Sequence, residues 1–226
     1  MAPQFDDLIH DAQRFFAQLE VNNNKAWFAE QKATYQTTIQ RPAELLADHI
    51  ATTLTSRSGS DFRPKIFRIY RDVRFAKDKS PYNPWLHILC SRADGAAAAP
   101  GWFFACNPHE VSLTTGLMGL STQELTRFRS YINTNGDALA SVLSEARDGA
   151  GATHSDWGPP PLKRVPSPYA QDHTHADLLR RKSLLMSAPL DLSDGFEAGL
   201  STSITTLLPL WRELQENFSN RERSAA

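Results

Sequence analysis

Residues 85–115 decide the fold class. They read Trp85-Leu86-His87-Ile88-Leu89-Cys90-Ser91, then a Gly/Ala loop from Ala93 to Pro100, then Gly101-Trp102-Phe103-Phe104-Ala105-Cys106-Asn107, then Pro108-His109-Glu110 and Val111-Ser112-Leu113-Thr114-Thr115. Each apolar segment is short, and the breaks between them carry turn residues: Asn107-Pro108-His109-Glu110 is a turn signal, and Val111, Leu113 and Thr115 alternate behind it. Short runs punctuated in this way predict strands, and their close succession predicts an antiparallel meander.

Helical patterns lie on both sides of the meander. Phe5, Leu8, Ile9, Ala12, Phe15, Phe16 and Leu19 form one apolar stripe at helical spacing. Asn22-Asn23-Asn24 ends that helix and offers caps for a second one carrying Trp27, Phe28, Tyr35 and Ile39. Pro42 should kink or break it, because proline lacks the helical donor. Leu45, Leu46, His49, Ile50 and Leu54 continue the apolar face, with His49 read as a packed core residue. Downstream, Ser121 with Glu124 predicts a capping box and a helix with Leu125, Phe128 and Ile132 inward. Asn135-Gly136 should stop it, with another short helix at Leu139, Val142 and Leu143. Thr174 with Asp177 predicts a second capping box, for a helix through Lys182. The tail from Ser193 reads as a helix with Leu207, Leu208, Trp211, Leu214 and Phe218 on one face and a kink at Pro209. The expected fold is α+β: an antiparallel sheet of about four to six strands packed against helices from the N- and C-terminal parts.

The chain has 226 residues, 41% hydrophobic and 22% charged, which suits one domain over 1–226. Residues 149–161 are poor in apolar side chains and end in three prolines. They read as a long surface loop, with a domain boundary as the alternative. The formal charge of −1 argues against binding nucleic acid over the whole surface. Cys90 and Cys106 are too few for a disulfide framework and lie in strand-like segments, where buried free thiols are expected. The first residues, Met1 to Asp7, carry acid where a secretory leader carries basic charge, and no segment approaches a membrane span. A cytoplasmic protein with no membrane partner is the expectation.

Charge is concentrated between the helices and the meander. From Arg63 to Tyr82 the chain carries seven basic residues against two acidic ones, interleaved with Phe67, Tyr70, Phe75 and Tyr82. Pro64 and Pro81 bracket the run, which reads as a short strand through about Tyr70 followed by an ordered loop. Arg68, Arg71 and Arg74 recur every three residues, and guanidinium forks grip phosphate or carboxylate bidentately. With Lys79 and Tyr82 they form the candidate anion site. Asp72 and Asp78 are the candidate catalytic residues, or the groups that orient the arginines. An internal salt-bridge network is the competing reading of the same residues.

Other motifs carry less. Asp78-Lys79 fits a nuclease site poorly, because such sites place the lysine two residues beyond the acid, on the same side of a strand. Asp172-His173-Thr174-His175 with Asp177 has some metal-ligand character, but a helix start explains it as well, and no metal is assigned. A Gly-rich phosphate loop, a nucleophile elbow and a Cys-x-x-Cys pair are all missing from the sequence.

The pattern Arg68-x-x-Arg71-Asp72-x-Arg74-Phe75-x-x-Asp78-Lys79-x-x-Tyr82 resembles the signature of a family of uncharacterised bacterial proteins, a conserved domain of unknown function. Asn22-Asn23-Asn24-Lys25-x-Trp27-Phe28, with Lys32 and Tyr35, is similar to that family's N-terminal segment. Gly101-Trp102-Phe103 and Gly116 fit its central strands. Leu162-Lys163-Arg164-x-Pro166, Asp172-His173 and Leu178-Leu179-Arg180-x-Lys182 fit its C-terminal element. The sequence departs from the pattern at Asn83, Ser167-Pro168 and Thr174, where the family carries a basic residue, a basic-Gly pair and a proline. The resemblance implies no known activity. It implies that Arg164, Asp172 and His173 form a second element beside the arginine run.

Two classes of function fit. One is a pocket for a phosphate- or carboxylate-bearing small molecule, extended if catalytic to hydrolysis or group transfer. The other is a non-catalytic binding or scaffold protein whose basic run meets a nucleic-acid backbone or an acidic protein partner. The sequence names no cofactor and no oligomeric state.

Overall fold

The computed structural model describes residues 5–95 and 99–218. Met1 to Gln4 of the N-terminal reading, and three alanines of the Gly/Ala loop, lie outside them. In chain order the elements are α1 (Asp6–Val21), α2 (Lys25–Thr34), a π-helical turn (Tyr35–Gln40), α3 (Arg41–Ser58), β1 (Phe62–Ile66), β2 (Leu86–Arg92), β3 (Gly101–Cys106) and β4 (Val111–Leu117). They continue with α4 (Thr122–Ala150), β5 (Thr153–His154), α5 (Ala176–Leu179), β6 (Leu184–Pro189) and α6 (Phe196–Phe218). The strands form one six-stranded antiparallel sheet in the order β1-β2-β3-β4-β6-β5. The α+β class, the meander and the helices from both chain ends are as the sequence predicts. Among the described residues no helix is long and apolar enough to cross a membrane.

Contacts divide the chain into two compact units. Among the described residues, the first takes those within 1–93, 103–113 and 189–201, and the second those within 94–102, 114–188 and 202–226.

In the first unit α1 buries Leu8, Ile9, Ala12, Phe15, Phe16 and Leu19, the predicted stripe. The Asn24 side chain caps α2 by accepting from Trp27 N at 3.0 Å. Pro42 does not break the helical path. It sits in the first turn of α3, where a missing N–H is tolerated, and the preceding π-helical turn adjusts the backbone register. Leu45 is 64% exposed, off the apolar face expected for it. His49 is not a core residue either. It is half-buried, packs on Phe5 with ring centroids 5.1 Å apart, and pairs through Nε2 with Glu197 at 3.0 Å. α3 packs on β1 and β2. β1 and β2 pair from Phe62 opposite Arg92 to Ile66 opposite Ile88. β1 is shorter than the predicted strand, but Phe67 N still donates to His87 O at 2.9 Å, so pairing continues one residue further.

In the second unit Ser121 and Glu124 form the predicted capping box at the start of α4. Asn135-Gly136 does not end the helix. The helix kinks at Asn135 and runs on to Ala150, absorbing the short helix expected at Leu139 to Leu143. Gly136 is needed there because a Cβ would lie 2.1 Å from the His175 ring. The 149–161 stretch is not all loop, since Thr153 and His154 pair with Ser187 and Met186 of β6. β6 itself was not expected from the sequence. The Thr174–Asp177 capping box does not form: His175 is the N-cap, without a side-chain bond, and α5 is one turn long. In the core, Trp102 and Trp211 stack 6.5 Å apart, and Trp211 Nε1 donates to Pro100 O at 3.0 Å. Thr114 Oγ1 donates to Ser187 Oγ and Thr115 Oγ1 to Gly101 O, each at 2.9 Å, which satisfies these two buried hydroxyls of β4.

Candidate functional site: an exposed basic and aromatic surface

The basic run leaves β1 and returns to β2 as a loop pinched at its base. Tyr70 and Tyr82 form an isolated antiparallel bridge; Arg71 N donates to Pro81 O at 2.9 Å and Asn83 N to Ile69 O at 2.7 Å. Tyr82 is 4% exposed and stacks on Phe28 with centroids 4.2 Å apart, so it anchors the loop in the core instead of facing solvent. Burial raises its phenol pKa. Tyr35, in the same aromatic cluster, is pushed up to about 12 by burial.

Beyond the pinch the loop is organised by its own charges. Arg71 Nη1 meets Asp78 Oδ2 at 2.5 Å, and Asp78 Oδ1 accepts from Ser80 N and Oγ at 2.9 and 2.7 Å. The Arg71 guanidinium, followed by Ser80, therefore holds the Asp78 carboxyl well below the usual carboxylate range. Arg74 forks onto Asp72, with Nε 3.0 Å from Oδ1 and Nη2 2.7 Å from Oδ2. Those bonds, and then the nearby Arg68 charge, lower the Asp72 pKa. Lys79 Nζ donates to Val73 O at 3.0 Å and Arg74 O at 3.4 Å, closing the loop from inside. Both carboxylates are ionised at neutral pH and act as hydrogen-bond acceptors.

The outer surface stays open. Arg68 is exposed, the Arg74 side chain is 77% exposed, and Phe75 is 96% exposed with the Arg74 guanidinium 5.9 Å from its ring. A group missed in the sequence adjoins the run. On β1 and β2 the side chains of Phe62, Ile66, Leu86, Ile88 and Cys90 turn inward, so Lys65, Phe67, Trp85 and His87 share the opposite side. Trp85 and His87 stack with centroids 4.9 Å apart at 16°, His87 meets Phe67 edge-on at 6.4 Å, and Lys65 Nζ lies 5.5 Å from the Phe67 centroid. Desolvation between the rings lowers the His87 pKa to about 4, so the imidazole is neutral at pH 7. The period-2 pattern through Trp85 and His87 was the sequence signal for this ladder.

The structure thus brings Arg71 to Asp78, Arg74 to Asp72 and Lys79 to the loop backbone, while Tyr82 goes to the core. Arg164, Asp172 and His173 belong to the second unit. Arg164 and Asp172 are exposed there, and His173 Nδ1 accepts from His175 N at 3.0 Å. Their segment is closed by Gln171, which accepts from Val165 N at 3.1 Å and donates to Val165 O at 2.7 Å. His175 Nε2 lies 3.0 Å from Asp137. Among the described residues no group of three or more His, Cys, Asp or Glu is placed to hold a metal ion. Cys90 and Cys106 are buried free thiols, and burial pushes both up to about 12.

No curated protein matches the chain. A family profile matches residues 11–216, a span that includes the basic run, the ring ladder and the segment around Arg164 to His173. By that match the chain belongs to the conserved hypothetical protein family DUF2461.

Proposed function

We propose that this protein is a non-catalytic binding protein whose first unit engages a single-stranded nucleic acid, with the cytoplasm as its setting. The observation that carries the reading is the adjacency in the chain of exposed cations and exposed rings: Lys65 and Phe67 on β1, Arg68, Arg74 and Phe75 in the loop, and Trp85 on the returning strand. Cations neutralise backbone phosphates, and rings stack on bases whose faces are free. The aspartates are ion-paired and ionised, which suits loop clasps better than acid–base groups. Arg74 and Asp72 are exposed, whereas a small-molecule site buries most of its ligand in a mostly apolar pocket. Unbridged buried thiols suit a reducing compartment.

Fluorescence anisotropy with labelled oligo(dT) and oligo(U), compared with a duplex of equal length, tests the proposal. Single strands should bind better than duplex, with log affinity falling linearly with log salt. Trp85→Ala should weaken binding by roughly 5- to 150-fold, the equivalent of about 1–3 kcal/mol of stacking. Saturable binding of inorganic phosphate at Arg74 with no affinity for oligonucleotides would overturn it in favour of a small-molecule site.

A further inference from the structure

The second unit holds a cleft of about 290 Å³. It lies where the chain leaves β5. Ser155 N donates to Leu185 O at 3.0 Å, prolonging the β5–β6 pairing, and the loop then folds back over the start of β6. Gly158 lies so close to Ser183 that a Cβ would sit 1.9 Å from its Oγ. Ser155, Asp156, Gly158, Pro159 to Pro161, Arg181 and Ser183 line the cleft.

Three consecutive prolines contribute rigid apolar wall and no N–H donors. The polar chemistry facing an occupant therefore comes from Arg181, the two serine hydroxyls and Asp156. Among the described residues the Arg181 guanidinium makes no hydrogen bond or ion pair, and its Nε is fully buried. Its neighbour Arg180, by contrast, pairs with Asp177. Buried donors without acceptors are rare in folded proteins, because desolvation is then uncompensated. His154 Nδ1 is a second buried atom without a partner, on the strand leading into the cleft.

The surrounding charge is basic. Arg147, Arg180 and Arg181 face Asp156 and Asp177, and the Arg180–Asp177 pair cancels locally. His154 is lowered to about 4, chiefly by burial and then by Arg181 and Arg147, against a hydrogen bond to the Leu185 backbone, so it is neutral at pH 7. A cation would find a single carboxylate here.

We propose that this cleft is a binding site for a small oxyanion, a phosphate or carboxylate group, held by the Arg181 guanidinium with the Ser183 and Ser155 hydroxyls. A planar guanidinium with free N–H groups matches two oxygens of either anion. The site is independent of the nucleic-acid surface and belongs to the other unit. Asp156 opposes the bound anion and sets the affinity below what Arg181 alone would give.

The test titrates the full chain with inorganic phosphate and with succinate, following heat by calorimetry and the Arg181 Nε–Hε resonance by NMR. Saturable binding with movement of that resonance is expected. Arg181→Gln should weaken it by about tenfold or more, as for loss of a hydrogen bond to a charged group. Asp156→Asn should tighten it, and Arg74→Gln should leave it unchanged. A response to phosphate alone, or to succinate alone, assigns the anion. If Arg181→Gln fails to fold, the wild-type resonance decides: an Arg181 signal unmoved at saturating phosphate and succinate overturns the proposal. So does an Asp156→Asn protein that melts earlier and binds no better, because Arg181 is then neutralised by Asp156 within the chain.

Discussion

The carboxamide of Asn23 pairs with both main-chain groups of Tyr82, Nδ2 donating to its O at 2.9 Å and Oδ1 accepting from its N at 3.1 Å. The connection between α1 and α2 thus acts as one more strand partner for the returning end of the basic loop. Asn23→Ala removes two partly buried bonds and should lower stability by about 1–3 kcal/mol. Urea denaturation measures this, with Asn22→Ala, whose side chain bonds only Gln18 O within its own helix end, as the near-neutral reference. An unchanged midpoint for Asn23→Ala would show that the Tyr70–Tyr82 bridge and the Tyr82–Phe28 stack hold the loop without it.

Acid should loosen the same loop in a defined window. The Asp78 carboxyl is depressed in the folded protein by Arg71 and then Ser80, so the unfolded chain takes up its proton first as pH falls. The contribution is complete above the ordinary carboxylate range of about 4 and is lost as pH drops through the folded value. Asp78→Asn should therefore be less stable than the wild type at pH 7, and the gap should close as pH falls below about 4. A wild-type profile matching that of Asp78→Asn from pH 4 to pH 2 would refute the clasp.

A second window lies higher. His87 titrates at about 4 in the folded protein against an ordinary 6.5, because burial disfavours the imidazolium. Between those values the unfolded chain binds the proton and the native one does not, so stability rises with pH through this window and is complete above 6.5. The shift corresponds to roughly 3 kcal/mol. His87→Gln should flatten the profile between pH 4 and 6.5; chemical denaturation at half-unit steps would show it. An equal slope in the variant would place the titration elsewhere, His154 being the other depressed histidine.

Two glycines separate backbone freedom from close packing. Gly116 has φ 142°, and a Cβ there would lie 1.8 Å from Leu184 O, a backbone atom that cannot step aside. Gly119 has φ 70° and open space around it. Gly119→Ala should cost about 1 kcal/mol, the strain of a left-handed alanine. Gly116→Ala carries that strain plus a backbone clash and should cost about 3 kcal/mol or more. Thermal melts of the two variants side by side test this; equal losses would mean that the β4–β6 contact yields.

Helices and central strands were legible because their signals are local. The stripe from Phe5 to Leu19, the Asn24 cap and the Ser121–Glu124 box each act within a few residues. Where tertiary packing decides, the sequence misled: Asn135-Gly136 carries a stop signal, yet Gly136 serves the approach of the His175 ring and the helix continues. β6 was hidden because Leu184, Leu185 and Met186 form an apolar run too short to show a period. At the candidate site the charges of Arg68 to Lys79 were visible, but not their pairing, since nothing in the spacing says that Asp78 reaches back to Arg71 while Asp72 stays with Arg74. Trp85 and His87 read as strand, and only the turn of the pleat shows that they share a face with Phe67.

The sheet ends at β1 on one side and at β5 on the other. β1 carries Pro64, whose nitrogen has no hydrogen to offer, flanked by the outward cations Arg63 and Lys65. β5 is two residues long. A foreign strand seeking to add to this sheet would meet a missing donor and repelling charge at one margin, and scarcely one residue pair at the other. Both margins are poor templates for strand addition, and a Pro64→Val substitution would restore the missing donor at one of them.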